Sequence, residues 1–259
     1  LTKLQLRAYT VPVIITVKTE ERFNMSEKTM TKEEYLNKAK DLNKGAGAPK
    51  ELEDTDFFTV AKERRSVRQY DPTVKIDENE IRELLEIAIQ APSSSNLQPW
   101  RFLVIQDQAA KEELLPIANN QQQVVDASAV IAVLGDKDAY KNAERIFGQL
   151  VEKGRMTEEL KNTYVNSILE GYGSFPAERL SKIANIDGGL ISMQLMLAAK
   201  AKGYDTVPMG GYDADKFVEA FNVPENFEPV MLIALGKGTQ AGFEKTRLPL
   251  EDVLEWNKY

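Results

Sequence analysis

Residues 77–105 read DENEIRELLEIAIQAPSSSNLQPWRFLVI, a stretch that contains a helix, a strand and the turn between them. Asp77 followed by Glu80 is a D-x-x-E capping pattern, and Ile81, Leu84, Leu85, Ala88 and Ile89 recur at helical spacing until Pro92 stops the helix. From Ala91 to Trp100 come hydroxyls and amides stiffened by Pro92 and Pro99. Trp100 to Ile105 is then a short apolar run of the kind that forms a buried strand. By itself the polar segment reads either as a connecting loop or as a surface able to hydrogen-bond the polar edge of a ring without charge.

Working outward, Ala129 to Leu134 and Val230 to Leu235 are further apolar runs of strand length. Helical patterns fall between them at Ala109–Ala118, Lys137–Glu152, Thr157–Glu170 and Asp213–Phe221. The order is mixed α and β. Ile183 to Ala201 is the most apolar helical stretch, with Leu190, Ile191, Met193, Leu195, Met196 and Leu197 covering nearly every face. Such a helix is buried, either centrally or under a partner subunit, and its methionines read as core. Residues 1–55 read as an N-terminal extension, partly disordered or weakly helical. There Ser26 to Lys44 carries only a thin apolar stripe, and Gly45 to Pro49 breaks it. Residues 56–259 form the body.

Composition narrows the chemistry. The 259 residues include no Cys and no His, which removes thiol nucleophiles, iron–sulfur ligation, the commonest general base and the usual metal ligands. A Ser-His-Asp hydrolase is excluded. Whatever chemistry exists must come from carboxylates, Lys, Tyr, backbone dipoles or a bound cofactor that brings its own reactive atoms, of which the last leads, and no metal site is expected. With 33 basic and 40 acidic residues the net charge is −7, which disfavours nucleic acid and anionic membrane as partners. No apolar run approaches a membrane span of roughly 20 residues. The expected address is cytoplasmic.

Within this acidic chain, Arg64-Arg65-Ser66-Val67-Arg68 gathers three guanidinium groups, and on a helix Arg64 and Arg68 would share a face. Arg matches phosphate through its planar fork. Lys245-Thr246-Arg247 offers a second cationic fork that, with the first, could converge on one phosphate; each cluster alone reads as readily as surface charge. Val207 to Asp213 contains Pro208, Gly210 and Gly211 in a turn whose backbone N–H groups can approach a ligand closely, with Asp213 capping the helix that follows.

Taken together, RRSVRQYD at 64–71, APSSSNLQPWRF at 91–102, IDGGLISMQLML at 186–197, PMGGYD at 208–213 and RLPL at 247–250 resemble the FMN-dependent nitroreductase family, in the family's order and across about 200 residues. The resemblance implies an α+β, three-layer fold with a central, mostly antiparallel sheet flanked by helices. It also implies a homodimer with FMN at the subunit interface, NADH or NADPH as co-substrate, and hydride transfer through the flavin to small flat acceptors such as nitroaromatics and quinones. A non-catalytic module that stores FMN is the alternative.

The resemblance also assigns residues. Arg64, Arg65, Ser66 and Arg68 match the first FMN segment, with Arg68 toward the N1/O2 side of the ring. Pro92, Ser93, Ser94 and Asn96 match the loop that reaches the other subunit's flavin. Asn120 and Gln123 match positions lining the pyrimidine edge, Pro208, Gly210 and Gly211 the turn behind N5 and O4, and Lys245 and Arg247 the phosphate clamp. Some relatives carry Lys where Gln123 stands and Glu where Gly210 stands. Tyr164, Tyr172 and Phe175 are candidates for stacking on substrate.

Overall fold

Strand β2 (Ala129–Asp136) is buried at every position, as befits the middle of a sheet covered on both faces. It pairs antiparallel with β1 (Trp100–Ile105) on one side and with β4 (Phe227–Gly236) on the other. β3 (Asp205–Met209) adds antiparallel to the far side of β4, giving the order β1-β2-β4-β3. The computed structural model describes residues 47–259 together with 31, 33, 34 and 37; the expectations for the rest of the first 46 residues lie outside the described residues.

Alternation along β2 builds two cores. Val130, Ala132 and Leu134 point to one face, where they meet Leu114 and Ile117 of α3 (Gln108–Ile117), Val124 of α4 (Gln123–Asp126) and Phe217 of α8 (Ala214–Ala220). Ala129, Ile131 and Val133 point to the other, against Ile81, Leu84 and Ala88 of α2 (Glu78–Ala88) and Ile191, Leu195 and Met196 of α7 (Ala177–Ala201). Helix, sheet and helix make three layers, as expected. A third, smaller core joins α5 (Ala143–Glu152) and α6 (Glu158–Gly173) through Phe147, Val165 and Ile168, with Leu97 of the polar loop.

The expected cap of α2 is present: Asp77 accepts from the backbone N–H groups of Asn79 at 2.7 Å and Glu80 at 3.1 Å. Asp213 caps α8 by accepting from Lys216 N–H. Helix α7 begins six residues before the expected Ile183 and lies very close to the sheet. A Cβ on Gly188 would stand 2.8 Å from both Val230 methyls, and one on Gly135 would stand 2.6 Å from Ala184 Cβ. Its apolar character is divided, since Ile186, Leu190 and Met193 are exposed on the single chain. No described helix is long and apolar enough to cross a membrane.

Two local readings are corrected. Helix α1 (Phe57–Glu63), capped by Asp56, ends at Arg64, so Arg64 and Arg68 do not share a helix face. Residues 66–70 instead run extended beside β3: Val67 N–H donates to Thr206 O at 3.0 Å, and Tyr70 bridges to Gly238. Pairing across the sheet edge outweighs local helical spacing there. The segment before Gly210 is strand rather than turn, because Asp205 to Met209 pairs with β4. Pro208 is tolerated because β3 lies at the edge of the four-stranded sheet.

Candidate functional site

The β3 edge collects four cations from two distant stretches of chain. Lys245 Nζ donates to the carbonyls of Ala61 at 2.9 Å and Lys62 at 2.8 Å, which the end of α1 leaves open. Arg65 Nη1 donates to the same Lys62 carbonyl at 2.6 Å. Burial, then Arg247 and Arg65, push the Arg64 guanidinium below its ordinary value; burial, then Arg65, Arg64 and Arg247, do the same to the Lys245 ammonium, against a weaker opposing pull from Glu63. An anion placed among these groups would relieve their mutual repulsion. The decisive detail is that Arg64 Nε and Nη1 are buried and have no hydrogen-bond partner among the described residues. A guanidinium taken out of water without an acceptor is costly, and a phosphate supplies charged acceptors in the fork geometry Arg requires.

The backbone around this seat is tightly held. Tyr70 Oη donates to Val67 O at 2.8 Å and also lies 3.2 Å from Ala234 O, fastening the segment from Arg64 to Tyr70 to the sheet. Gly242 crosses directly over Ser66, where a Cβ would stand 2.4 Å from the Ser66 carbonyl oxygen. Arg68 Nη1 donates to Ser66 O at 3.2 Å, and its guanidinium carbon lies 5.7 Å from the Phe243 ring centre.

The glycine turn lies at the end of the same edge strand. Gly211 O accepts from Asn119 Nδ2 at 2.8 Å and Gln121 Nε2 at 3.0 Å, and Asp213 N–H donates to Ile117 O. These bonds bring Pro208, Gly210 and Gly211 beside the turn that carries Asn120 and Gln123. Asn119 and Asn120 both have positive φ, which Asn tolerates better than most residues. Gln123 is fully buried, and its Nε2 donates to Gln121 Oε1 at 3.0 Å and to Met209 Sδ at 3.3 Å. From behind, fully buried Lys111 donates to Val125 O and Ala127 O and holds α4 in place.

Pro92, Ser93, Ser94 and Asn96 lie elsewhere. Their loop enters β1, at the opposite edge of the sheet from β3 and three strand spacings away, roughly 14 Å. It is an unusually constrained loop: Ser95, Asn96 and Gln98 all have φ near +50°. Ser94 N–H donates to both carboxylate oxygens of Asp187, at 3.1 and 3.0 Å, and Ser94 Oγ to one of them at 3.1 Å. Ser95 Oγ pairs with Tyr172 Oη at 2.9 Å. Beside this loop a cavity of about 520 Å³ is lined by Ser95, Asn96, Phe147, Thr163, Tyr164, Ser167 and Ile168. Of the three aromatic candidates, Tyr164 lines this cavity. Tyr172 and Phe175 pack against one another with ring centres 5.2 Å apart, and Tyr172 also stacks on Tyr140.

One chain therefore brings together Arg64, Arg65, Ser66, Arg68, Asn120, Gln123, Pro208, Gly210, Gly211, Lys245 and Arg247 along one sheet edge, and leaves the Ser93–Asn96 loop at the other. Asp187, Gly242 and Lys111 are supports that sequence reading passed over. A carboxylate within the most apolar helix was the available signal for Asp187.

A model described as the nitroreductase family matches residues 61–237. Over 207 residues the chain is 45% identical to the Bacillus subtilis protein named "Putative NAD(P)H nitroreductase YdgI", covering 79% of this chain and 99% of that one. The "CLA biosynthesis enone reductase" of Lactiplantibacillus plantarum is 34% identical, over 77% of this chain and 94% of its own. A protein of Exiguobacterium sibiricum solved in complex with FMN superimposes with a TM-score of 0.76 at 47% identity, covering 80% of this chain and 100% of that one.

Proposed function

The chain belongs to the nitroreductase family, and from that premise we propose that it works as a homodimer passing two electrons from NADH or NADPH to small, flat, uncharged acceptors such as nitroaromatics and quinones. Its cofactor is FMN. The observation that carries the site assignment is the buried, acceptor-free pair of Arg64 nitrogens among three other cations, which fits the FMN phosphate. When bound, FMN supplies the carrier that accepts a hydride and gives up two electrons.

The protein's own groups bind and orient. Arg64, Arg65, Lys245 and Arg247 hold the phosphate. Asn120 and Gln123 would line the polar edge of the ring, the backbone at Gly210 and Gly211 would approach it closely, and Arg68 would favour negative charge gained there. With no His or Cys, no side chain ordinarily titrates between about pH 5 and 8, so the acceptor's proton comes from solvent or the carrier. The cavity beside Ser95 and Asn96 has an apolar wall of Phe147, Tyr164 and Ile168 and a hydroxyl wall of Thr163, Ser167 and Ser95, with no charged group. That lining suits a neutral planar acceptor.

Two features support the dimer. Ile186, Leu190 and Met193 of α7, Ile87 of α2 and Ile89 just after it are exposed apolar side chains, and Gln194 Nε2 donates to Ile87 O, which sets the two stripes side by side. The Ser93–Asn96 loop, which the resemblance assigns to the other subunit's flavin, lies at the opposite sheet edge from its own chain's cations. The test is anaerobic stopped-flow mixing of the FMN-loaded protein with NADH and NADPH, followed by an acceptor panel. Rapid bleaching and reoxidation are expected; a yellow protein that neither coenzyme bleaches is a flavin store instead.

A further inference from the structure

Asp187 is a carboxylate in the wrong surroundings. It is 1% exposed, sits in the middle of α7, and pairs with no Lys or Arg among the described residues. Burial raises its carboxyl above the ordinary value while the Ser94 bonds oppose the rise. Every hydrogen bond recorded for its side chain comes from one residue, Ser94, 93 positions earlier in the chain. A buried acid kept at such a cost for one loop residue suggests that the loop's conformation is what is being maintained.

The loop needs such support. Three of its residues other than glycine, Ser95, Asn96 and Gln98, hold left-handed backbone that would relax if released. The loop's other hydrogen bonds include Ser93 Oγ accepting from Gln98 N–H within the loop, Gln98 O accepting from Arg101 Nη1 of β1, and Tyr172 Oη meeting Ser95 Oγ from α6. None of these three comes from the helix that carries the exposed stripe. Asp187 does, because it neighbours exposed Ile186 on the same helix, and that helix is set against the sheet at Gly188 and Gly135 with no room for adjustment.

We propose that Asp187 is a positioning residue that holds the Ser93–Asn96 loop in shape for the flavin seated on the other copy of the chain, so that one copy's α7 carboxylate tunes the other copy's cofactor site. This rests on the reading of the dimer and cation seat given above. Asp187 touches neither cofactor nor acceptor; it acts through Ser94.

The direction of the effect, within one copy or across to the other, can be read from cofactor binding alone. Asp187→Ala as a homodimer is expected to bind FMN about tenfold more weakly, and Asp187→Asn, which keeps one acceptor oxygen, about threefold. Differently tagged Asp187→Ala and Arg247→Ala chains are then co-expressed, and the mixed dimer is titrated with FMN by fluorescence quenching. If Asp187 serves the other copy, one site of the mixed dimer carries both lesions and the other neither. One site of wild-type affinity per dimer is therefore expected. If it serves its own copy, each site carries one lesion and no wild-type site remains, which overturns the proposal.

Wild-type affinity in the Asp187→Ala homodimer overturns it as well while leaving the proposed function intact. Failure of Arg247→Ala to weaken FMN would instead strike at the cation seat. Should Asp187→Ala not fold, the isosteric Asp187→Asn chain carries the same mixed-dimer titration.

Discussion

Replacing Arg64 by Met should move cofactor affinity and the stability of the empty protein in opposite directions. Methionine keeps an unbranched stem of similar length but removes the charge and the fork. Arg64 Nε and Nη1 are buried without acceptors among the described residues, and burial, then Arg247 and Arg65, push its guanidinium below its ordinary value. Removing the guanidinium relieves a desolvated cation, a gain of about 1 kcal/mol that for a domain of this size corresponds to a rise of about 2–4 °C in Tm. In the FMN-bound protein the same change deletes charge-assisted bonds to phosphate worth about 2–3 kcal/mol, which weakens FMN by roughly 30- to 150-fold. Differential scanning fluorimetry of the apoprotein gives the first number, and fluorescence-quenching titration gives the second. Riboflavin is the control, since it lacks the phosphate and should bind the variant and the wild type alike. Equal losses for riboflavin and FMN, or an empty protein that melts lower, would refute the assignment of Arg64 to a phosphate.

Gly242→Ala drives a methyl into the Ser66 carbonyl and the Arg65 side chain, so it should cost about 1–3 kcal/mol in urea unfolding and also weaken FMN, because Arg65 must shift with Ser66. Asp187 carries a raised carboxyl, so the stability it lends relative to Asp187→Asn should be fully present below the ordinary value of 3.8 and fade as pH rises through the higher folded value; urea titrations from acid to neutral pH should show the wild type losing ground to the variant. Tyr164→Ala should raise acceptor KM several-fold while leaving FMN affinity unchanged, measured by steady-state kinetics and quenching titration.

Where residues interact with near neighbours, the sequence could be read directly. The Asp77 cap and the limits of β1 follow from side chains a few positions apart, and Trp100 to Ile105 forms its strand at the expected bounds; the three layers were implied by the family resemblance. Where the partner is remote, the reading failed. Residues 64–68 have helical spacing, but the Val67 N–H finds Thr206 O across the sheet edge, and no local pattern encodes that bond. Pro208 and the two glycines after it look like a turn, and only the pairing with β4 reveals the edge strand leading into them. The convergence of Lys245 on the end of α1 spans 184 positions, so neither basic cluster alone could be told from surface charge. The family's motif order did carry that information, which is why the resemblance located segments that periodicity could not.

If Arg64 receives the FMN phosphate as proposed, its burial would tie the amount of protein in a cell to its vitamin supply. A ligand that binds only the folded chain stabilises it by RT ln(1 + [FMN]/Kd), about 2.7 kcal/mol at a hundredfold excess over Kd, so the chain would resist transient opening less without it. When opening and closing are fast relative to cleavage, proteolysis tracks the population of open molecules, so newly made chains that find no flavin are cleared sooner than those that do. Under riboflavin starvation the cell would lose the polypeptide along with its activity.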